Sequence, residues 1–188
     1  FHDFGGSILS QDTVPGINWL MEQYFLSISE CDMDTFLHLF TSGDTSEEER
    51  YRQEFEKQKQ YIESYQNISC YTTPGLEENT YAAYVYYEIK YAGVETPAPS
   101  LVQVYAVGAD DGTYKIYDQQ VSPELSDYLE QLSRNEDVRL LISQVDQQIE
   151  EAMAADPALN ERILYMKQGP DYMHEEDNLE TGAGENQE

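Results

Sequence analysis

The sequence is poor in positive charge, with 10 Lys and Arg against 37 Asp and Glu in 188 residues and a formal net charge of −27. A nucleic-acid groove needs clustered Lys and Arg to neutralise phosphates, so the composition argues against nucleic acid as a partner. It argues equally against direct binding to an anionic membrane surface. The acidic residues are spread along the chain, and we interpret them as a solvated surface rather than as an acidic binding site.

Cysteine, long apolar runs and catalytic motifs are also scarce or missing. The only two cysteines, Cys31 and Cys70, lack a CxxC spacing or a neighbouring His, which argues against zinc and redox roles. A disulfide in an oxidising compartment and two unpaired thiols both fit the sequence. No run approaches the roughly 20 apolar residues of a membrane span. GxSxG, P-loop, HExxH and GxGxxG motifs do not occur, and we predict no metal and no cofactor.

Three β-rich runs between Thr80 and Asp118 organise the predicted fold. In residues 81–91 a more apolar parity alternates with one that ends in charges, which is typical of a half-buried strand. Asp110, Asp111 and Gly112 predict a hairpin turn, because Asp and Gly tolerate positive φ. We prefer this turn to a calcium loop, whose other oxygen ligands are missing. The predicted strands form a four-stranded, mainly antiparallel, meandering sheet from residues 67–73, 81–91, 101–107 and 113–117.

Helices are predicted before and after these strands along the chain, which gives an α+β fold class. Apolar residues at helical spacing predict three helices before the sheet, ending near Glu30, Phe40 and Tyr65, and three after it. Asp12 or Thr13 is expected to cap the first helix, and Ser122 and Asn135 are expected to cap the fourth and fifth. We place a flexible leader at 1–11, an α+β domain at 12–121, a helical extension at 122–167 and a disordered acidic tail at 168–188.

The order of helices and strands resembles that of a known superfamily. The pieces that carry the likeness are INWLMEQYFLSISECDMDTFLHLF, then YAAYVYYEIKYAGVETPAPSLVQVYAV, then DDGTYKIYD. They resemble the nuclear-transport-factor-2-like superfamily (SnoaL-like, cystatin-like), and more narrowly its extracellular members from Gram-positive bacteria. The resemblance implies a curved, cone-shaped sheet that encloses a pocket against the first helix. It also implies an extracellular or cell-surface location, with an N-terminal anchor ahead of Phe1.

Three residues are candidates for acid or base chemistry in such a pocket. His38 is the only His within the predicted fold, and Asp34 lies four residues earlier on the same predicted helix. Glu88 follows Tyr84 and Tyr86 on one face of a predicted strand. For each we prefer a non-catalytic interpretation: a partly exposed surface His, and a cross-strand surface pair for Glu88.

Tyrosine hydroxyls are the remaining candidates for a binding pocket. Tyr84 and Tyr86 would line the pocket if their strand face is the concave one, and Tyr24 would add a hydroxyl from the first helix. We prefer a surface position for the strand face of Tyr84 and Tyr86, and an amphipathic core tyrosine explains Tyr24 equally well.

Three functions remain open at this stage, since one fold hosts many activities. The first is a non-enzymatic exported or cell-surface module that binds a protein, a cell-wall component or a small molecule. The second is a SnoaL-like isomerase, cyclase or dehydratase, which needs a deep pocket with two convergent titratable groups. The third is a homodimeric structural domain that uses an exposed sheet face. We favour them in that order.

Overall fold

The computed structural model describes residues 7–168 of the 188-residue chain. The predicted tail at 168–188 therefore lies outside the described residues from 169 onward. The structure contains five strands and six helices within that range. In chain order they are β1 (Ser10–Gln11), α1 (Pro15–Glu30), α2 (Met33–His38), α3 (Glu48–Lys59), β2 (Ile62–Pro74), β3 (Thr80–Tyr91), β4 (Ala98–Gly108), β5 (Tyr114–Ile116), α4 (Pro123–Arg134), α5 (Glu136–Ala155) and α6 (Pro157–Gln168).

The five strands form one open antiparallel sheet in the order β1-β2-β3-β4-β5. The predicted α+β class and antiparallel sheet are confirmed, with five strands instead of the predicted four. In the register, Cys70 pairs with Val85 and Tyr71 pairs with Tyr84, so neighbouring residues on a strand point to opposite faces. This alternation separates two apolar faces on the same sheet.

Helices cover both faces of the sheet. α1 packs on one face, where Ile17, Leu20 and Met21 are fully buried against Cys70, Ala83 and Val85. α5 packs on the other face, where Val138, Leu141 and Val145 contact Tyr71, Tyr84 and Tyr86. The space between α1 and the sheet is thus filled by packed side chains, and α5 belongs to the same core assembly as the strands.

β4 has an outer edge that is only partly covered. β5 pairs with Ala106–Gly108 alone, and the segment after α2 covers β5 in turn, through hydrogen bonds between Ile116 and both Leu39 and Thr41. Residues 98–104 of β4 therefore lack a strand neighbour on that side within the described residues. Pro99 fits here because a proline, which has no N–H, is tolerated at a sheet edge. α5 runs beside this edge.

The hairpin between β4 and β5 lies unusually close to the start of α1. A Cβ atom on Gly16 would lie 2.5 Å from the carbonyl oxygen of Gly112 and 2.7 Å from the ring of Tyr114. Contacts this short do not occur for real Cβ atoms, so the hairpin reaches this position only because residue 16 lacks a side chain.

The N-terminal segment differs from the prediction. Ser10 and Gln11 pair with Thr72 and Tyr71 as β1, and Leu9 is buried, so residues 9–11 are not an unstructured leader. Asp12 does not cap α1, whose N-cap residue is Val14 without a side-chain hydrogen bond. Its carboxylate is used instead to hold β2.

Two further predictions are corrected by long-range packing. The third helix was expected to reach Tyr65, but it ends at Lys59, and Ile62 and Tyr65 pair with Tyr91 and Ile89 in the sheet. In α5, Ile142 has the helical spacing of a buried residue, four after Val138 and three before Val145, but it is 37% exposed, whereas Leu141 is fully buried.

The two cysteines are both free, with Cys70 buried beneath α1 and Cys31 partly exposed at the C-terminal end of that helix. Burial raises the pKa of the Cys70 thiol to about 12, so it behaves as a core side chain. Across residues 7–168, no helix combines the length and apolarity that a bilayer crossing requires.

Candidate functional site

A cavity of about 550 Å³ lies between α5 and the open edge of β4, and we call it the α5–β4 cleft. This volume is within the range of small-molecule sites. Its lining comes from four elements. The residues are Tyr84, Tyr87, Pro99, Ser100, Leu101, Gln103, Ser133, Val138, Ile142, Val145, Asp146 and Ile149.

The cleft has an apolar floor and a more polar rim. Val138, Val145 and Tyr84 are buried and form the floor, while Ser133, Ile142 and Asp146 are exposed at the rim. The Gln103 amide donates a hydrogen bond to the Tyr84 hydroxyl at 3.3 Å. Burial raises the pKa of both Tyr84 and Tyr87, which keeps their hydroxyls neutral. Among residues 7–168, Asp146 supplies the one carboxylate of the lining, and none of the lining residues is basic.

The other two predicted pocket tyrosines lie elsewhere. Tyr24, on α1, belongs to an aromatic cluster, with its ring centroid 5.0 Å from that of Phe25 and 5.6 Å from that of Phe36. Burial raises its pKa to about 12. Tyr86 lies on the α5 face of the sheet, and its hydroxyl donates to Glu88 at 2.5 Å. The structure therefore brings Tyr84 alone of the three into the α5–β4 cleft.

Glu88 accepts hydrogen bonds from two neighbouring residues of the sheet. One carboxylate oxygen accepts from Tyr86 and the other accepts from the Asn67 side-chain amide at 2.8 Å. Asn67 has a positive φ of 54° within a register shift of β2, and this irregular backbone aims its side chain at β3. Burial and the hydrogen bond to Glu88 raise the pKa of Tyr86. Both oxygens of Glu88 are thus used, one within β3 by Tyr86 and the other across to β2 by Asn67.

His38 and Asp34 meet in a second, shallower cleft of about 370 Å³, which we call the Trp19 cleft. The lining residues are Trp19, Asp34, Thr35, His38, Leu39, Thr113, Tyr114 and Lys115. His38 Nδ1 lies 2.6 Å from the backbone carbonyl of Asp34, which only accepts, so Nδ1 donates. The imidazole is therefore oriented by a main-chain oxygen and not by the Asp34 carboxylate.

Sequence reasoning missed most of the residues that line these clefts, among them Ile142, Asp146 and Trp19. Ile142 and Asp146 lie on the side of α5 that faces the edge of β4, and only the position of that edge reveals them. Trp19 left a signal in the sequence, because it falls outside the buried stripe of α1 and had no packing role to explain it. Among residues 7–168, no cluster of three or more His, Cys, Asp or Glu side chains is arranged to hold a metal ion.

Comparison of the chain with known protein families, with curated proteins and with solved structures finds no match in any of the three.

Proposed function

We propose that this chain is a non-enzymatic binding module whose α5–β4 cleft holds a small, mainly apolar ligand. The observation that carries the proposal is the cleft itself, a volume of about 550 Å³ with a buried floor of Val138, Val145 and Tyr84. A concave apolar floor with a few polar groups at the rim is the usual form of a small-molecule site. Tyr87, Ser100 and Gln103 supply hydroxyl and amide groups that orient the ligand.

Binding is favoured over catalysis by the chemistry of the lining. General acid–base catalysis needs titratable groups that converge on the substrate. The cleft offers neutral tyrosines and one exposed carboxylate, Asp146, at its rim. The candidates His38 and Asp34 lie in a different cleft, and Glu88 is held by Tyr86 and Asn67. An isomerase, cyclase or dehydratase of SnoaL-like type remains the alternative and draws no support from these positions.

The finer description of the fold is part of the same proposal. The order of three helices, a long meander and a short hairpin supports membership of the nuclear-transport-factor-2-like superfamily and a cone-like sheet. On that view α4, α5 and α6 are an addition to the basic cone, and α5 forms a cleft on the face of the sheet opposite α1. The resemblance also supports an exported or cell-surface location, with an anchor that precedes this chain.

The neutral dye Nile red tests the cleft without interference from the net charge of −27. Ile142 and Leu140 form a matched pair on α5, with 37% and 38% exposure, and only Ile142 lines the cleft. We expect saturable, blue-shifted dye emission that is lost in Ile142→Asp and kept in Leu140→Asp, with similar thermal unfolding midpoints for the two variants. Equal loss in both variants, or no saturable binding to the parent chain, would contradict a ligand site in this cleft.

A further inference from the structure

Trp19 is an exposed aromatic side chain on α1. It is the only tryptophan in the sequence, and 52% of its surface is accessible although it lies in the second turn of α1. The buried residues of α1 lie on other faces of the helix. Leu26, two turns later on the same side, is 49% exposed, which shows that this side of α1 faces solvent along its length.

The walls around Trp19 are held in place by backbone contacts. The β4–β5 hairpin packs against Gly16, one turn before Trp19, and this places Thr113, Tyr114 and Lys115 along one wall. α2 supplies the opposite wall with Asp34, Thr35 and His38, and its N-cap Asp32 accepts from the Thr35 amide at 3.2 Å. The indole therefore lies in a formed cleft of about 370 Å³.

Three polar side chains of the cleft keep free hydrogen-bonding capacity. Within residues 7–168, neither the Asp34 carboxylate nor the Lys115 ammonium makes a hydrogen bond or ion pair, and His38 Nε2 is an open acceptor because Nδ1 is the donor. The other polar groups of the lining have protein partners. Thr35 donates to Asp32, Thr113 donates to Asp111, and Tyr114 donates to Asn79.

We propose that the Trp19 cleft binds pyranose units of a neutral saccharide. One face of a pyranose presents polarised C–H groups, which pack on the electron-rich face of an aromatic ring. Its hydroxyls both donate and accept, and Asp34 and His38 Nε2 provide acceptors while Lys115 provides a donor. An exposed indole beside free donors and acceptors is complementary to such a ligand, whereas a purely apolar ligand would make no use of the three polar groups.

The charge of the molecule selects neutral saccharides over charged ones. The net charge of −27 repels an anionic glycan at long range, and within the cleft Asp34 and Lys115 carry opposite charges. A ligand without net charge is not penalised by either field. This site is separate from the α5–β4 cleft, and the two share no lining residue.

Because the chain has a single tryptophan, its intrinsic fluorescence reports on ligand binding at Trp19. Neutral trisaccharides of glucose, mannose, xylose and N-acetylglucosamine would be titrated while indole emission is recorded. We expect a saturable blue shift with at least one of them and a Kd on the order of 1 mM, as for a shallow site. No change in emission with any of the four would overturn the proposal.

Variants locate the binding and separate stacking from hydrogen bonding. Asp34→Ala and Lys115→Ala keep the reporter, and each should weaken the binding, while Leu26→Ala should bind like the parent chain. Trp19→Ala, read by saturation-transfer NMR on the sugar protons, should weaken binding about tenfold or more, and Trp19→Phe should restore part of it. Binding that is unaffected by Asp34→Ala and Trp19→Ala lies elsewhere and would overturn the proposal.

An interface between two copies of the chain is the competing reason for an exposed tryptophan. Light scattering after size-exclusion chromatography distinguishes the two. If the parent chain is a dimer that Trp19→Ala and Leu26→Ala both dissociate, the exposed side of α1 is a subunit contact and the saccharide proposal fails. An unchanged mass in both variants, together with the titration result above, supports it.

Discussion

At the scale of single residues, Asp12 replaces the predicted helix cap with a tertiary contact. One carboxylate oxygen accepts from the Cys70 amide at 2.7 Å and from the Asn18 side chain at 2.8 Å, and the other accepts from the Ser69 hydroxyl at 2.8 Å. Its backbone also has a positive φ of 55°, which Asp adopts more readily than most residues. One side chain therefore joins β1, α1 and β2.

Asp12→Ala should destabilise the fold by about 1–3 kcal/mol, because the Cys70 amide loses its acceptor and Ala is disfavoured at positive φ. Asp12→Asn should cost less, since it keeps one oxygen acceptor and tolerates the same backbone. Urea unfolding of the two variants measures both values. An Ala variant as stable as the parent chain would show that water replaces these contacts without loss.

Leu141 and Ile142 are neighbours in sequence with opposite environments. Leu141 is fully buried against the sheet, whereas Ile142 is 37% exposed at the rim of the α5–β4 cleft. Leu141→Asp should therefore unfold the protein or cost about 4 kcal/mol or more, because it buries an unpaired charge. Ile142→Asp should cost about 1 kcal/mol or less. Thermal unfolding followed by circular dichroism separates the two, and equal losses would place both side chains in the core.

At the scale of elements, caps and periodicity predicted most of the helices. The Ser122 hydroxyl accepts from the Leu125 amide at 3.1 Å and the Asn135 side chain accepts from the Asp137 amide at 2.8 Å, so α4 and α5 begin where the sequence placed their caps. These signals are local. The end of α3 has no such local signal, because Ile62 and Tyr65 suit a helical stripe and a strand alike. Their pairing with β3 places them in the sheet.

The positions of the two clefts depend on tertiary structure even more than the ends of the helices do. Tyr84 was a predicted pocket residue and does line a cleft, but that cleft is formed with α5 and not with α1. The cleft lies on the side of α5 that faces the edge of β4. That edge is unpaired because β5 is short. No local pattern in α5 distinguishes Ile142 from the buried residues Val138 and Val145, so its exposure could not be predicted from the helix alone.

Packing of the β4–β5 hairpin on α1 depends on Gly16. In most helices Gly→Ala stabilises by about 0.5–1 kcal/mol. Here the new methyl group would collide with backbone at Gly112 and with the Tyr114 ring, so Gly16→Ala should destabilise by about 1–3 kcal/mol instead. It should also shift Trp19 emission, because Tyr114 and Lys115 line the same cleft. Glu22→Ala, at an exposed position of the same helix, is the control, and a stabilised Gly16→Ala would contradict the close approach.

At the scale of the whole molecule, the excess of negative charge opposes compaction. With a net charge of −27, the folded chain concentrates its own repulsion, and salt screens it over about 10 Å at 0.1 M. The thermal midpoint should therefore rise as NaCl is added from low ionic strength to about 0.2 M and then level off. Differential scanning calorimetry tests this, and a midpoint independent of salt would mean that the acidic residues are spaced widely enough not to interact.

Buried tyrosines set the alkaline limit of stability. Burial raises the pKa of Tyr24 and of Tyr91 from 10.0 to about 12 each. A raised folded-state pKa contributes stability that is complete below pH 10, the unfolded value, and is lost as the pH rises through about 12. Each contributes up to about 3 kcal/mol, so we expect cooperative alkaline unfolding within that interval, together with tyrosinate absorbance. Tyr24→Phe keeps the ring packing and removes one ionisation, so its unfolding midpoint should move to higher pH. If the parent chain and Tyr24→Phe both stay folded near pH 10 but differ there by the absorbance of one tyrosinate, water reaches the Tyr24 ring in the folded state.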